Sequence, residues 1–269
     1  MNKQGVFVII LVALIFIGGV VLHVLNPKLS DIPIPSRTPV PPTSTPEPTA
    51  TPEPSLYEDY KRLLFADETL EELAQRYSPE SGILFEPFYK AYNHAQQGES
   101  LQAIEVLQAF AAQPDTELRA RLWAWRALRD LGIKPNVRAK DVQGVVLEIP
   151  VEGGLDTLAV YADGRVRYIS HTGGIFVWEE ELDSDLAPLA LAVIEAAQPY
   201  SGQSKPIERH LPENLAVVRA SLLTYTGIYV VESSYVAAMR GSGTLAPIIE
   251  AADALITAIA NLEERGDEA

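Results

Sequence analysis

The sequence predicts an α+β fold carried behind a membrane anchor, and three observations predict it. Residues 5–25, GVFVIILVALIFIGGVVLHVL, form a 21-residue apolar run interrupted only by His23. From residue 56 the apolar side chains recur every three to four positions, which is the helical period. From Val142 they change to the runs and alternations of β-strands, before a last helical stripe near the C-terminus.

The apolar run comes first. At about 1.5 Å per residue its length is roughly 30 Å, the thickness of a bilayer's hydrocarbon core. A cleaved signal would have a core of about 7–15 residues and small side chains at its exit. Here the exit reads Leu22-His23-Val24-Leu25-Asn26-Pro27, so an uncleaved single-pass transmembrane helix within residues 1–27 is expected. Lys3 and the amino terminus flank one end, whereas Lys28 at the other is offset by Asp31. The positive-inside tendency then favours a cytoplasmic N-terminus and extracytoplasmic C-terminal domains.

Residues 28–55 form a Pro/Thr-rich linker. Nine prolines fall within residues 33–55, and the unit TPEP at 45–48 recurs at 51–54. Proline donates no backbone hydrogen bond and holds its predecessor extended, so a spacer of polyproline type is expected.

Composition then excludes function classes. The chain carries a formal net charge of −15 and no cysteine. Residues 56–135 hold 9 basic and 13 acidic side chains, and residues 136–269 hold 9 and 20. An acidic surface repels phosphate backbones, so nucleic acid is not expected as a partner. The absence of cysteine removes disulfides, zinc-thiolate sites, iron–sulfur clusters, thiol nucleophiles and lipid attachment at an N-terminal cysteine.

Residues 56–135 read as a helical segment. Leu56, Tyr57, Tyr60, Leu63 and Leu64 share a face, which Leu70, Leu73 and Tyr77 continue, and Asp67 is the expected N-cap. One helix then runs to a turn at Gly98, a second ends at Pro114, and a third, DTELRARLWAWRALRDLG, ends at Gly132. Trp123 and Trp125 lie two apart and cannot share a helix face, so one of them is expected near the surface or against the next domain. Ala91, Gly98, Ala103, Leu107, Phe110 and Pro114 fall where a tetratricopeptide repeat carries its small, turn and apolar residues, and the stretch resembles one such repeat. The match spans a single repeat without its leading tryptophan. The resemblance therefore implies a helical-hairpin scaffold rather than the groove that about three stacked repeats provide.

Residues 136–265 read as an α+β domain, followed by an acidic tail at 266–269. GVVLEIPV, LDTLAVYA, a strand after Asp163-Gly164, and IFVWE predict a four-stranded antiparallel meander. Asp163-Gly164 signals a two-residue hairpin that pairs Tyr161 with Val166 and Ala159 with Tyr168. Asp183 or Ser184 is expected to cap a helix carrying Leu186, Leu189 and Val193. Two further strands are expected either side of Thr226-Gly227, before an amphipathic helix with Ile248, Ile249, Ala252, Leu255, Ile256, Ile259 and Leu262 in one stripe. This order argues for an antiparallel sheet covered by helices on one face. The layout is similar to profilin-like and roadblock-like domains. GGLDTLAVYADGRVRY with VWEE resembles an uncharacterised group of bacterial membrane-anchored proteins, a resemblance that implies a fold and no chemistry.

The chemistry-bearing residues are few. Of four histidines, His171 in Ser170-His171-Thr172-Gly173-Gly174 is the one near groups able to make a site. Asp156, Asp163 or Glu179 can orient it, but Ser170 adjoins it and points to the opposite face. Arg240 with the loop Gly241-Ser242-Gly243-Thr244 precedes the last helix and can hold an anion there, although Ser242 or Thr244 suits a cap equally. Tyr225, Tyr229 and Tyr235 are candidate interface anchors. Glu179-Glu180-Glu181 reads as a solvated charge run. No metalloprotease, nucleophile-elbow, phosphate-loop or EF-hand spacing occurs. No catalytic residue, cofactor or metal is assigned. The expectation is a non-enzymatic, membrane-anchored interaction module with a protein partner. The alternatives are a hydrolase or small-ligand sensor, or a cytoplasm-facing adaptor.

Overall fold

A computed structural model describes residues 62–77, 84–136, 140–172, 174–178, 186–203, 206–207 and 216–266. The expected anchor and linker, Glu179-Glu180-Glu181, the Asp183/Ser184 cap and the tail beyond Gly266 lie outside the described residues. No helix among the described residues is long and apolar enough to cross a membrane.

Four helices open the described chain: α1 (Leu70–Arg76), α2 (Glu86–Gln96), α3 (Ser100–Ala111) and α4 (Leu118–Asp130). The cap of α1 is Thr69 rather than Asp67. Its hydroxyl accepts from the Glu72 N–H at 3.2 Å, and Glu72 Oε2 accepts from the Thr69 N–H at 2.8 Å, a reciprocal capping box. Gly98 and Gly132 end α2 and α4 as expected. At each, the left-handed glycine lets two N–H groups fold back onto the last turn, Gly132 to Arg129 and Ile133 to Leu128 in the case of α4.

The sheet has six strands, all antiparallel, in the order β4-β3-β2-β1-β5-β6. The strands are β1 (Gly144–Val151), β2 (Gly154–Tyr161), β3 (Val166–Ile169), β4 (Ile175–Trp178), β5 (Val217–Thr224) and β6 (Gly227–Ser234). β1 to β4 form the expected meander, and β5 returns to pair with β1. Two turns differ from expectation. Between β2 and β3, Val160 faces Val166 and Ala159 faces Arg167, one residue out of the expected register. The Gly164 N–H bonds Tyr161 O and the Tyr161 N–H bonds Arg165 O, so Ala162, Asp163 and Gly164 make a three-residue loop closed by a left-handed glycine. The last hairpin turns at Tyr225-Thr226, with Gly227 already paired to Thr224.

Helices cover both faces of the sheet, not one. On one side Val145, Leu147, Leu158, Val160, Val218 and Leu222 pack with α5 (Ala187–Ala197) and α7 (Ala246–Gly266). Ile248, Ile249, Ala252, Leu255 and Ile259 of the expected α7 stripe are buried there. α5 begins after Leu186, with no side-chain cap bond. A short helix α6 (Tyr235–Met239) follows β6. On the other side Val146, Ala159, Tyr161, Ile169, Leu223 and Ile228 share a core with Leu64, Phe65, Leu73, Phe88, Leu107, Leu122, Trp123 and Leu128. The helical segment is thus the second cover of the sheet.

Polar ties fix that cover. The Tyr161 hydroxyl donates to Leu64 O at 2.7 Å, and the Leu118 N–H at the start of α4 donates to Asp163 Oδ2 at 2.9 Å. Arg167, fully buried on β3, reaches Glu117 at 3.3 Å and lies over the Tyr161 ring. The two tryptophans of α4 part as their spacing required. Trp123 is in the core and donates to Glu68 at 2.6 Å, while Trp125 packs on Tyr225 at 5.6 Å between ring centres.

Candidate functional site: an arginine-lined cleft

α4 runs from the β2–β3 turn, where Asp163 meets its first N–H, to the β5–β6 turn, where Arg129 Nη1 donates to Tyr225 O at 2.6 Å. Beside this second junction lies a cavity of about 400 Å³. Phe65, Ala66, Leu122 and Leu223 give it an apolar base, and Arg62, Arg126 and Arg129 bring three guanidiniums to its lining. Its far wall is the segment Pro206-Ile207, whose Ile207 N–H donates to Ile228 O at 2.9 Å alongside β6. Gly227 is required there: its φ is +131°, and a Cβ on it would lie 2.8 Å from Pro206 Cβ.

The cleft's charges differ in their partners. Arg62 Nη2 pairs with Glu72 at 3.2 Å and Arg126 Nε with Asp130 at 3.1 Å, and both pairs are solvent-accessible. The backbone N–H of Thr69 holds the Glu72 carboxyl below its ordinary range, outweighing the opposing effect of burial, and the Thr69 hydroxyl and Arg62 add to it. Arg129 makes its bond to a neutral carbonyl, and no carboxylate among the described residues forms an ion pair with it. Burial lowers its pKa to about 10, with the like charge of Arg126 contributing. Thr224 and Thr226 line the cavity on the turn, their hydroxyls 2.8 Å apart, with Thr226 Oγ1 3.0 Å from the Tyr229 hydroxyl.

The residues singled out from sequence fall elsewhere. His171 and Asp156 do meet: ring Nδ1 lies 2.9 Å from Asp156 Oδ1, and the His171 backbone N–H donates to the same oxygen at 2.8 Å. The Tyr168 hydroxyl donates to Asp156 Oδ2. An ionised carboxylate only accepts, so Nδ1 carries the hydrogen, and Nε2 is left without a partner among the described residues. Ser170 Oγ is turned to Thr172 Oγ1, 2.6 Å away, as the alternation of faces required. Asp163 serves α4 and Arg165 instead. The ring of His171 lies against the β1–β2 turn, where a Cβ on Gly154 would come within 2.8 Å of His171 Cβ. Among the described residues no group of three or more acidic or histidine side chains is placed to hold a metal ion.

Arg240 is the exposed C-cap of α6. In the loop after it, the N–H groups of Ser242 and Gly243 and the Ser242 hydroxyl all bond Ala237 O, so these donors close α6. Tyr225 stands half-buried at the layer junction beside the cleft, and burial raises its pKa. Tyr229 is a core residue. Sequence reasoning missed Arg62, Arg126 and Arg129. The available signal was α4 itself, with four arginines in 13 residues of an otherwise acidic chain.

In comparisons with protein-family models, with curated proteins and with solved structures, the chain has no match.

Proposed function

We propose that this chain is a membrane-tethered binding module that captures its target without transforming it. Residues 5–25 anchor it in the bilayer, residues 28–55 are the spacer, and the body works on the extracytoplasmic side. The observation that carries the binding reading is the cleft between the helical layer and the last hairpin, which joins an apolar base to three guanidiniums. A concave site with a few converging polar groups is the usual form of a ligand pocket. The target is a polar component or protein group of the envelope.

Two measurements test this. A single cysteine at Ser55, labelled in intact cells by a membrane-impermeant maleimide, is expected to react without lysis; protection until lysis would make the protein a cytoplasm-facing adaptor. Separately, fractions of envelope extract are screened for a rise in Tm of the detergent-purified full chain. A fraction active on the native chain and inactive on Thr226→Trp, which fills the cleft, supports the reading. Equal shifts in both chains, or none, count against it.

The Asp156–His171 pair favours a second reading, a hydrolase that uses Nε2 as a base. Under that reading His171→Ala abolishes the in vivo phenotype of the protein; under the binding reading it leaves the phenotype intact.

A further inference from the structure

We propose that the cleft is a site for an oxyanion, a carboxylate or phosphate group held by the fork of Arg129 and closed over by Arg126 and Arg62. This rests on the reading of the cleft as the binding site and adds the chemical class of its ligand.

Arg129 is the central residue. Its guanidinium is half-buried and satisfied at one nitrogen by a neutral carbonyl, Tyr225 O at 2.6 Å. A buried cation opposite a neutral acceptor keeps most of its desolvation cost, which an anion in the cavity would offset. The fork geometry of guanidinium suits two oxygens of one carboxylate or phosphate. Burial first and then the like charge of Arg126 lower its pKa to about 10, and the charges of Asp130 and Tyr229 oppose them only in part.

Arg126 and Arg62 are the more exposed part of the site. Each pairs with a carboxylate at the cleft's rim, with side chains 25% and 45% exposed for Arg126–Asp130 and 43% and 42% for Arg62–Glu72. Solvent-accessible pairs of this kind are weak, so either arginine can turn to a ligand at small cost. The lining also holds two carboxylates, Asp67 and Glu72, so its formal charge stays positive by one unit. Glu72 keeps the Thr69 N–H and hydroxyl when Arg62 turns away, and Asp67 is itself partnered within the chain. The position of the charge also argues for a purpose. In a chain of net charge −15, three arginines against two carboxylates leave the lining of one cavity of about 400 Å³ positive, and that volume admits a small anion.

The test uses the full chain in non-ionic detergent at low, matched ionic strength, with inorganic phosphate, succinate and neutral succinamide as probes. Tm and calorimetric titration are read for the native chain, Arg129→Met, Arg126→Gln and Thr226→Trp, each first checked for native circular dichroism. Phosphate or succinate is expected to raise Tm in the native chain, and whichever does so identifies the oxyanion. Arg126→Gln, a change on the exposed side that keeps the fold, is expected to bind about tenfold or more weakly, as the loss of a charge-assisted hydrogen bond implies. Arg129→Met is expected to abolish binding. Equal anion shifts in the native chain and Arg126→Gln, or none, overturn the proposal. Succinamide binding that Thr226→Trp removes would keep the cleft and overturn the oxyanion. Failure of every probe, together with equal responses of native and Thr226→Trp chains to envelope fractions, would overturn both.

Discussion

Glu68 shows how much one buried group can decide. Its carboxyl accepts the Trp123 indole N–H at 2.6 Å inside the helical layer. Burial raises its pKa above the ordinary carboxyl value, only partly opposed by that bond. The folded chain therefore binds this proton more tightly than the unfolded chain. Its contribution is present at and below the unfolded carboxyl pKa, and is lost as pH rises through the folded one. Glu68→Gln lacks this dependence. The Tm of the native chain relative to that variant is thus expected to fall as pH rises above the ordinary carboxyl range, and a flat difference would refute the assignment. Gly154 is a second such residue, because a Cβ there would press on His171 Cβ at 2.8 Å. Gly154→Ala is expected to cost about 1–3 kcal/mol in urea unfolding, with relief from a further His171→Gly but not from His171→Ala, which keeps the offending atom. The parting of Trp123 from Trp125 was legible in their spacing. The burial of Glu68 was not, because its partner lies 55 residues along the chain.

Among the elements, the β2–β3 turn carries the clearest lesson. Asp-Gly was legible as a hairpin, but the same dipeptide serves two-residue and three-residue loops, and the choice moves every pair by one residue. Here the longer loop places the Asp163 carboxylate on the first N–H of α4, 2.9 Å away, and on Arg165 at 2.7 Å. Asp163 thus acts as the cap of a helix that begins 45 residues earlier, while Glu117 at the N-cap position makes no side-chain cap bond and gives its carboxylate to Arg119 and Arg167 instead. Asp163→Ala is expected to cost about 1–2 kcal/mol by denaturant titration, and Thr69→Ala, which breaks the α1 capping box, about 1 kcal/mol. If Asp163→Ala proved neutral, the long-range cap would be without effect. The two-sided burial of the sheet also had a trace in sequence. β1 reads GVVLEIPV with scarcely a polar alternation, the pattern of a strand covered on both faces, whereas a one-sided sheet alternates.

At the scale of the molecule, the helical layer and the sheet are interdependent. Removing residues 56–135 would lay bare Val146, Ala159, Tyr161, Ile169 and Leu223, which pack against that layer. A fragment of residues 136–265 is therefore expected to aggregate or bind a hydrophobic dye, and residues 56–269 to unfold in one cooperative transition. A soluble, dye-silent fragment with a sharp transition of its own would show the layers to be separable. The same interdependence explains why the cleft escaped sequence reading. Arg62, Arg126 and Arg129 come together with the last hairpin only once the layer is docked, and no local pattern encodes that meeting.

The way the chain enters this body has a mechanical consequence. Coming from the N-terminal side, it passes Arg62 and is at once buried at Leu64 and Phe65, with the Leu64 carbonyl held by the Tyr161 hydroxyl of the sheet. Tension drawn along the chain from that side meets this latch before it reaches any of the four helices. The load goes first to this bond between Leu64 and the end of β2, ahead of the helices α1 to α4. Tyr161→Phe, which removes the latch and keeps the ring, would lower the force at which the body opens while leaving its cold, unloaded structure in place.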